Sequence, residues 1–157
     1  AKMSEFAQYP PTFQDTRASG KITPEHHLIA VAGSWGLFPD YETVYISDMA
    51  DGGTDKCYTA TYDVPENKAF WSITMYDKKA YMFSDNAILN ASNTKMNKDG
   101  SFTVYYGSKE HCGDISNRLD TTEGWRILMR VYRPGESVSS GKYQMPDIKP
   151  VSPSHPV

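Results

Sequence analysis

The sequence predicts a mainly β domain, a jelly-roll-like antiparallel β-sandwich with one short N-terminal helix. Three observations carry that prediction. Short segments that alternate apolar and polar residues recur after Glu42, each bounded by a turn signal. Tyrosine and tryptophan are abundant, 11 and 3 of 157 residues, and such rings suit a half-buried pleated surface. Only one stretch has good helix-start chemistry, so the chain lacks the strand–helix alternation of a βαβ protein.

The length suits one domain, placed at residues 23–151, with an extended N-terminal arm at 1–22 and a short tail at 152–157. At this size roughly 68–70% of the unfolded chain's surface can be buried, so neither a metal nor a disulfide is needed for a core. The formal net charge is −3 and no run of Lys and Arg exceeds two residues. That excludes the clustered positive charge of a nucleic-acid or anionic-membrane surface. No stretch approaches the ~20 apolar residues of a membrane-crossing helix.

The elements follow in order. Residues 1–22 have no periodicity, and Tyr9-Pro10-Pro11 is extended by proline geometry. Thr23-Pro24-Glu25 starts a helix at about 24–33: Thr caps, Pro suits the first position, and Glu favours the positive end of the dipole. Gly33, Gly36 and Pro39 end it. Strands are expected at Thr43–Asp48, Lys56–Tyr62 and Ala69–Tyr76, with Ala80–Phe83 returning as a hairpin. Residues 84–98 read as a polar loop. Asp99-Gly100 before the alternating segment Ser101–Tyr106 is a hairpin signal. Gly107–Gly124 reads as a second long loop and Trp125–Tyr132 as the last strand. Pro146, Pro150, Pro153 and Pro156 argue against any regular element in the tail. The core is expected to hold Trp71, Ile73, Met75, Phe102, Val104, Ile127, Met129 and Val131.

Cys57 and Cys112 can pair only if their Cα atoms lie within about 7 Å. No metal or redox spacing accompanies them, and the plainer reading is two ordinary thiols, one in a strand and one in a loop. Asn90-Ala91-Ser92 has the form of a glycosylation acceptor.

Ala69-Phe70-Trp71-Ser72-Ile73-Thr74-Met75-Tyr76-Asp77 resembles the central signature of the family called domain of unknown function 1214. Glu42-Thr43-Val44-Tyr45, the Asp99-Gly100 segment from Asn97 to Tyr105, Leu128-Met129-Arg130-Val131-Tyr132-Arg133-Pro134 and Pro146-Asp147-Ile148-Lys149-Pro150-Val151 resemble its other motifs in order. The resemblance spans roughly 35–151 and implies a jelly-roll sandwich. It also implies export, since members often carry export signals. The chain starting at Ala1 rather than Met agrees, and an extracytoplasmic or secreted location is the expectation. In the family a second uncharacterised domain usually comes first, so this chain is expected to be a stand-alone version. One loop departs from the pattern: where the family usually reads Asn-Trp-Leu-Pro, this chain has Asn117-Arg118-Leu119-Asp120.

No reaction centre is recognisable. Asp48, Asp63 and Asp77 fall at strand ends and Glu66, Glu110 and Glu123 in loops, which is ordinary turn chemistry rather than a paired-carboxylate site. His26 and His27 diverge by about 100° on a helix. Asp48, Asp51 and Asp55 line one turn and could offer oxygens to calcium, though not with EF-hand spacing; otherwise no cofactor is expected. The more informative feature is a polar strand face. Arg126, Arg130 and Tyr132 project from one strand, Ser72, Thr74 and Tyr76 from another, and Thr103 and Tyr105 from a third. Arginine beside aromatic rings suits polyols, carboxylates or a partner surface. The plain alternative is a solvated face with arginine stems over apolar surface.

The expected function is therefore a non-catalytic binding module for a glycan or other polar small molecule. Arg126, Arg130, Tyr132, Tyr76, Thr74 and Tyr105 are its candidate contacts. A structural subunit that self-associates or packs in a larger complex is the alternative. A hydrolase using loop-borne Asp77, Glu110, His111 and Asp114 is a third reading.

Overall fold

Two short alternating segments set the frame. Trp71–Tyr76 and Arg126–Tyr132 each place every second residue in the interior, and they pair antiparallel from Trp71 opposite Val131 to Tyr76 opposite Arg126. The computed structural model describes residues 38, 41–48 and 53–151. The expected arm at 1–22, the helix at 24–33 and the tail at 152–157 lie outside the described residues.

Eight strands form two four-stranded sheets. They are β1 (Thr43–Asp48), β2 (Tyr58–Tyr62), β3 (Trp71–Tyr76), β4 (Ile88–Asn90), β5 (Phe102–Tyr106), β6 (Arg118–Leu119), β7 (Arg126–Tyr132) and β8 (Lys149–Pro150). Two single-turn helices, α1 (Lys109–Cys112) and α2 (Glu136–Ser139), accompany them among the described residues. One sheet runs β1-β7-β3-β4, the other β6-β5-β2-β8.

The sheets face each other through their aromatic residues. Trp71 of the first sheet stacks on Phe102 of the second with ring centroids 4.3 Å apart, and Phe102 stacks in turn on Tyr62 at 5.2 Å. Trp125 stacks on Tyr106 at 5.3 Å. Ile73, Met75, Ile127, Met129 and Val131 fill the first inner face; Val104, Tyr106 and Leu119 fill the second. All eight expected core residues are buried. Burying a large apolar side chain contributes ~1.5–3 kcal/mol, so this interior is the main source of stability.

Several expectations need correction. Cys57 and Cys112 are not free thiols: they form a disulfide with Cα atoms 4.9 Å apart across a sequence separation of 55. Nothing in the local sequence marks that meeting, because the pairing of β2 with β5 makes it. Gly107 is the local signature left behind. Its φ is +154°, and a Cβ there would lie 2.8 Å from Cys112 Sγ and 3.0 Å from the Lys56 carbonyl oxygen.

Ala80–Phe83 does not return as a strand. Asp77 Oδ1 accepts the backbone N–H groups of Lys79 and Tyr81 and holds a turn there. The returning strand is β4, inside the stretch read as a polar loop, and it pairs Ile88–Asn90 with Ser72–Thr74. Three residues are too few to show a period, although Ala87 and Leu89 are buried.

Asp99-Gly100 does make a turn, with Gly100 at φ +86° and Asn97 N–H bonded to the Ser101 carbonyl at 2.8 Å. It does not join paired strands, because β5 lies between β2 and β6 in the other sheet. The second long loop contains α1 and β6, and β6 runs parallel to β5, so the sandwich is not wholly antiparallel. The proline-bearing segment from Pro146, expected to hold no regular element, also supplies a strand: β8 pairs with Tyr58–Thr59 at the sheet edge, where Pro150 needs no ladder partner.

α2 starts without a cap of its own and borrows one. Glu66 Oε2 accepts the Ser137 N–H at 3.0 Å and the Ser137 hydroxyl at 2.8 Å. The Ser137 hydrogen bonds hold the Glu66 carboxyl below its ordinary pKa of 4.5. Its contribution is therefore whole above pH 4.5 and is lost as pH falls through the lowered folded-state value. A Cβ on Gly135 would collide with the Glu66 side chain at Cγ and Cδ. Gly135→Ala is thus expected to drive the carboxylate off Ser137 and lower the thermal midpoint by roughly 2–4 °C. A melt superimposable on the parent protein's would show that this borrowed cap adds no stability.

Candidate functional site

The outward faces of β7 and β3 bring five of the six candidate residues together. Adjacent pairing puts Ser72 opposite Arg130, Thr74 opposite Leu128 and Tyr76 opposite Arg126. On the other flank β1 sets Tyr45 opposite Arg130 and Thr43 opposite Tyr132.

Arg130 is the centre. Its Nη1 donates to Thr74 Oγ1 at 3.0 Å and its Nη2 to the Tyr76 hydroxyl at 2.7 Å. The guanidinium carbon lies 5.8 Å from the Tyr76 ring centroid, within cation–π range. Thr74 is only 3% exposed although it faces outward, and Arg130 bonds to its hydroxyl. Both acceptors are neutral, so they orient the guanidinium without neutralising it. No ion pair joins Arg126 or Arg130 to a carboxylate among the described residues.

Arg126 donates from Nη2 to the Lys78 carbonyl at 3.1 Å, and its Nε is buried without a partner. Tyr132 stacks on Phe70 with centroids 4.2 Å apart and planes 18° apart, and Phe70 remains 47% exposed. The face therefore carries a stacked aromatic pair at one end and two arginines along its middle strand.

Tyr105 does not belong to this group. It projects from β5 on the outer face of the opposite sheet, as does Thr103, which hydrogen-bonds Thr61 at 2.9 Å. Alternation alone cannot tell which sheet a strand will join. Phe70 and Tyr45 are the residues missing from the sequence-based site. Phe70 was legible as an outward neighbour of Ser72, whereas Tyr45 needed the β1–β7 pairing.

The alternative constellations are not assembled. Asp77 is engaged by its own turn, His111 Nδ1 bonds the Ser108 hydroxyl at 2.9 Å, and Asp114 pairs with Lys109 at 2.8 Å. Glu110 is exposed on α1. Among the described residues no group of three His, Cys, Asp or Glu side chains could hold a metal. Asp51, one of the three aspartates of the expected calcium turn, lies outside the described residues.

The unusual loop sequence has a local explanation. Arg118 Nη1 bonds both the Gly107 carbonyl and Asp120, and Asp120 also accepts the Ser84 hydroxyl. Burial acts to raise the Asp120 pKa, but hydrogen bonds from Ser84 and Arg118 outweigh it and hold the carboxyl below 3.8. These residues clip the end of β6 to the segment before β4.

Comparison with known proteins agrees with the fold. The crystal structure of the VPA0106 protein from Vibrio parahaemolyticus is similar with a TM-score of 0.70 at 24% identity, over 96% of this chain and 42% of that one. An uncharacterized protein from Burkholderia cenocepacia is similar with a TM-score of 0.55 at 19% identity, over 78% of this chain and 32% of that one. The chain thus spans less than half the length of either. No curated protein matches it. The family model described as "Protein of unknown function (DUF1214)" matches residues 44–136, more than half of the 157 residues. That match runs from the second residue of β1 through β7 to the start of α2, and the protein belongs to the DUF1214 family.

Proposed function

We propose that this domain is a non-catalytic binding module whose polar ligand, a glycan in the simplest case, lies on the outer face of the β1-β7-β3-β4 sheet. The supporting observation is Arg130: a guanidinium fixed by Thr74 and Tyr76, with no carboxylate paired to it among the described residues. A positive group oriented in advance, with N–H donors unengaged among the described residues, is what anion or polyol recognition needs.

The crossings of the chain between two four-stranded sheets, at β1–β2, β2–β3, β4–β5, β6–β7 and β7–β8, support reading the sandwich as jelly-roll-like. The disulfide supports an oxidising, extracytoplasmic compartment.

A glycan array probed with the tagged protein tests the module. Specific binding that disappears in the double variant Arg130→Ala, Tyr132→Ala is the expected result. Binding that survives the double variant moves the site elsewhere, and a blank array removes the glycan reading.

A second reading, self-association, draws support from apolar side chains on the same face, Phe70 at 47% and Ile88 at 38% exposed. Light scattering at high protein concentration separates the two: a strictly monomeric mass ends the assembly reading.

A further inference from the structure

We infer that the ligand of the β1-β7-β3-β4 face is an anionic polysaccharide, bound with a sugar ring against Phe70 and Tyr132 and its acidic group on Arg130. The inference rests on the binding-module reading and sharpens it to one ligand class.

Charge comes first. The outward positions of β1, β7, β3 and β4 include Arg126 and Arg130 and carry no Asp or Glu. The protein as a whole has net charge −3, so this face runs against the balance of the molecule. Arg130 is partly buried and its hydrogen-bond partners are neutral, so a bound anion would supply a counter-charge that no described residue provides. Arg126 on the same strand keeps its Nε buried and unpartnered.

Geometry comes second. Among the described residues, Thr74 and Tyr76 engage two of the five N–H groups of Arg130, and the other three can meet an incoming oxyanion. Paired N–H donors of a guanidinium match the oxygens of a carboxylate or sulfate. Tyr132 lies two residues from Arg130 on β7, ~7 Å by strand rise. That is about the reach of one sugar ring and its exocyclic acid. Phe70, stacked on Tyr132 and 47% exposed, offers apolar surface to the ring's C–H groups. Arg126 follows four residues beyond Arg130, a further ~13 Å along the strand. Two positive positions in a line suit a polymer with repeated acids better than a single small anion.

The test changes the ligand and leaves the protein intact. Oligomers of polygalacturonate, the same oligomers with their carboxyl groups reduced to alcohols, and a sulfated galactan are titrated calorimetrically against the whole chain. Binding of the uronate or the sulfated form at least tenfold tighter than the reduced form is the expected result, and it identifies which oxyanion is preferred. That preference should shrink with rising salt, as exposed charge pairs do. It should also fall at least tenfold in Arg130→Gln, with Phe70→Ala weakening charged and reduced forms alike. Equal affinity for charged and reduced forms overturns this inference and leaves the binding module standing. If none of the three binds while the array gives a signal, the anionic class is wrong; if the array is blank too, both readings fall.

Discussion

Replacing Cys57 and Cys112 together by alanine is expected to cost about 4 kcal/mol of stability and to lower the thermal midpoint by roughly 10 °C. The bond closes a loop with a sequence separation of 55, and most of its effect falls on the unfolded chain, whose freedom it restricts. Its place in the fold adds a local consequence. The Cys57 carbonyl accepts the Val151 N–H at 2.8 Å, beside the pairing of Tyr58–Thr59 with β8. Loss of the bond should therefore loosen β8 before the rest of its sheet. Denaturant melts measure the global effect, and amide hydrogen exchange at Lys149 and Val151 measures the local one. A double variant within 2 °C of the parent protein would mean that the unfolded ensemble is already restricted without the bond.

The second large effect lies in the interior. Tyr62 and Tyr106 meet hydroxyl to hydroxyl at 2.6 Å inside the core. Tyr62→Phe strands the Tyr106 hydroxyl in an apolar surrounding and should cost ~1–3 kcal/mol, the usual penalty for an unsatisfied buried group. The double variant Tyr62→Phe, Tyr106→Phe removes both needs at once and should recover part of the loss. A double-mutant cycle reads the coupling directly.

The pair is also expected to weaken the fold at high pH. Burial raises the Tyr62 pKa from 10.0 to about 12; the Tyr106 hydrogen bond opposes the rise and the Asp48 charge adds to it. Burial raises Tyr106 well above 10.0 as well, with Tyr62 and Asp48 adding to the shift. The unfolded chain ionises its tyrosines near pH 10, so the contribution of Tyr62 is whole below that pH. It is lost as pH climbs toward 12, a fall of about 2–3 kcal/mol for this one group. Stability measured between pH 9 and 12 should drop steeply in the parent protein and less steeply in Tyr62→Phe. Parallel curves would place the alkaline transition in other groups.

How much of this was legible in the sequence follows from the range of each interaction. The alternation of β3 and β7 is local, and it sorted Trp71, Ile73, Met75, Ile127, Met129 and Val131 into the core before any fold was known. The same alternation put Arg126, Arg130, Tyr132, Thr74 and Tyr76 on outward faces, and the pairing of β3 with β7 then joined them.

Tyr105 obeyed the same periodicity and still ended on the other side of the molecule, because period two reports a face and not a sheet. β4, β6 and β8 have three, two and two residues, too short to carry a pattern, and they exist because neighbouring strands offer open ladder positions. The sequence by itself determined the β class, the core side of each long strand and the family. The tertiary structure alone decided the strand order, the Cys57–Cys112 bond and which outward side chains meet. Those depend on contacts between residues far apart in the chain, where burial of the whole interior, and not local preference, selects the partner.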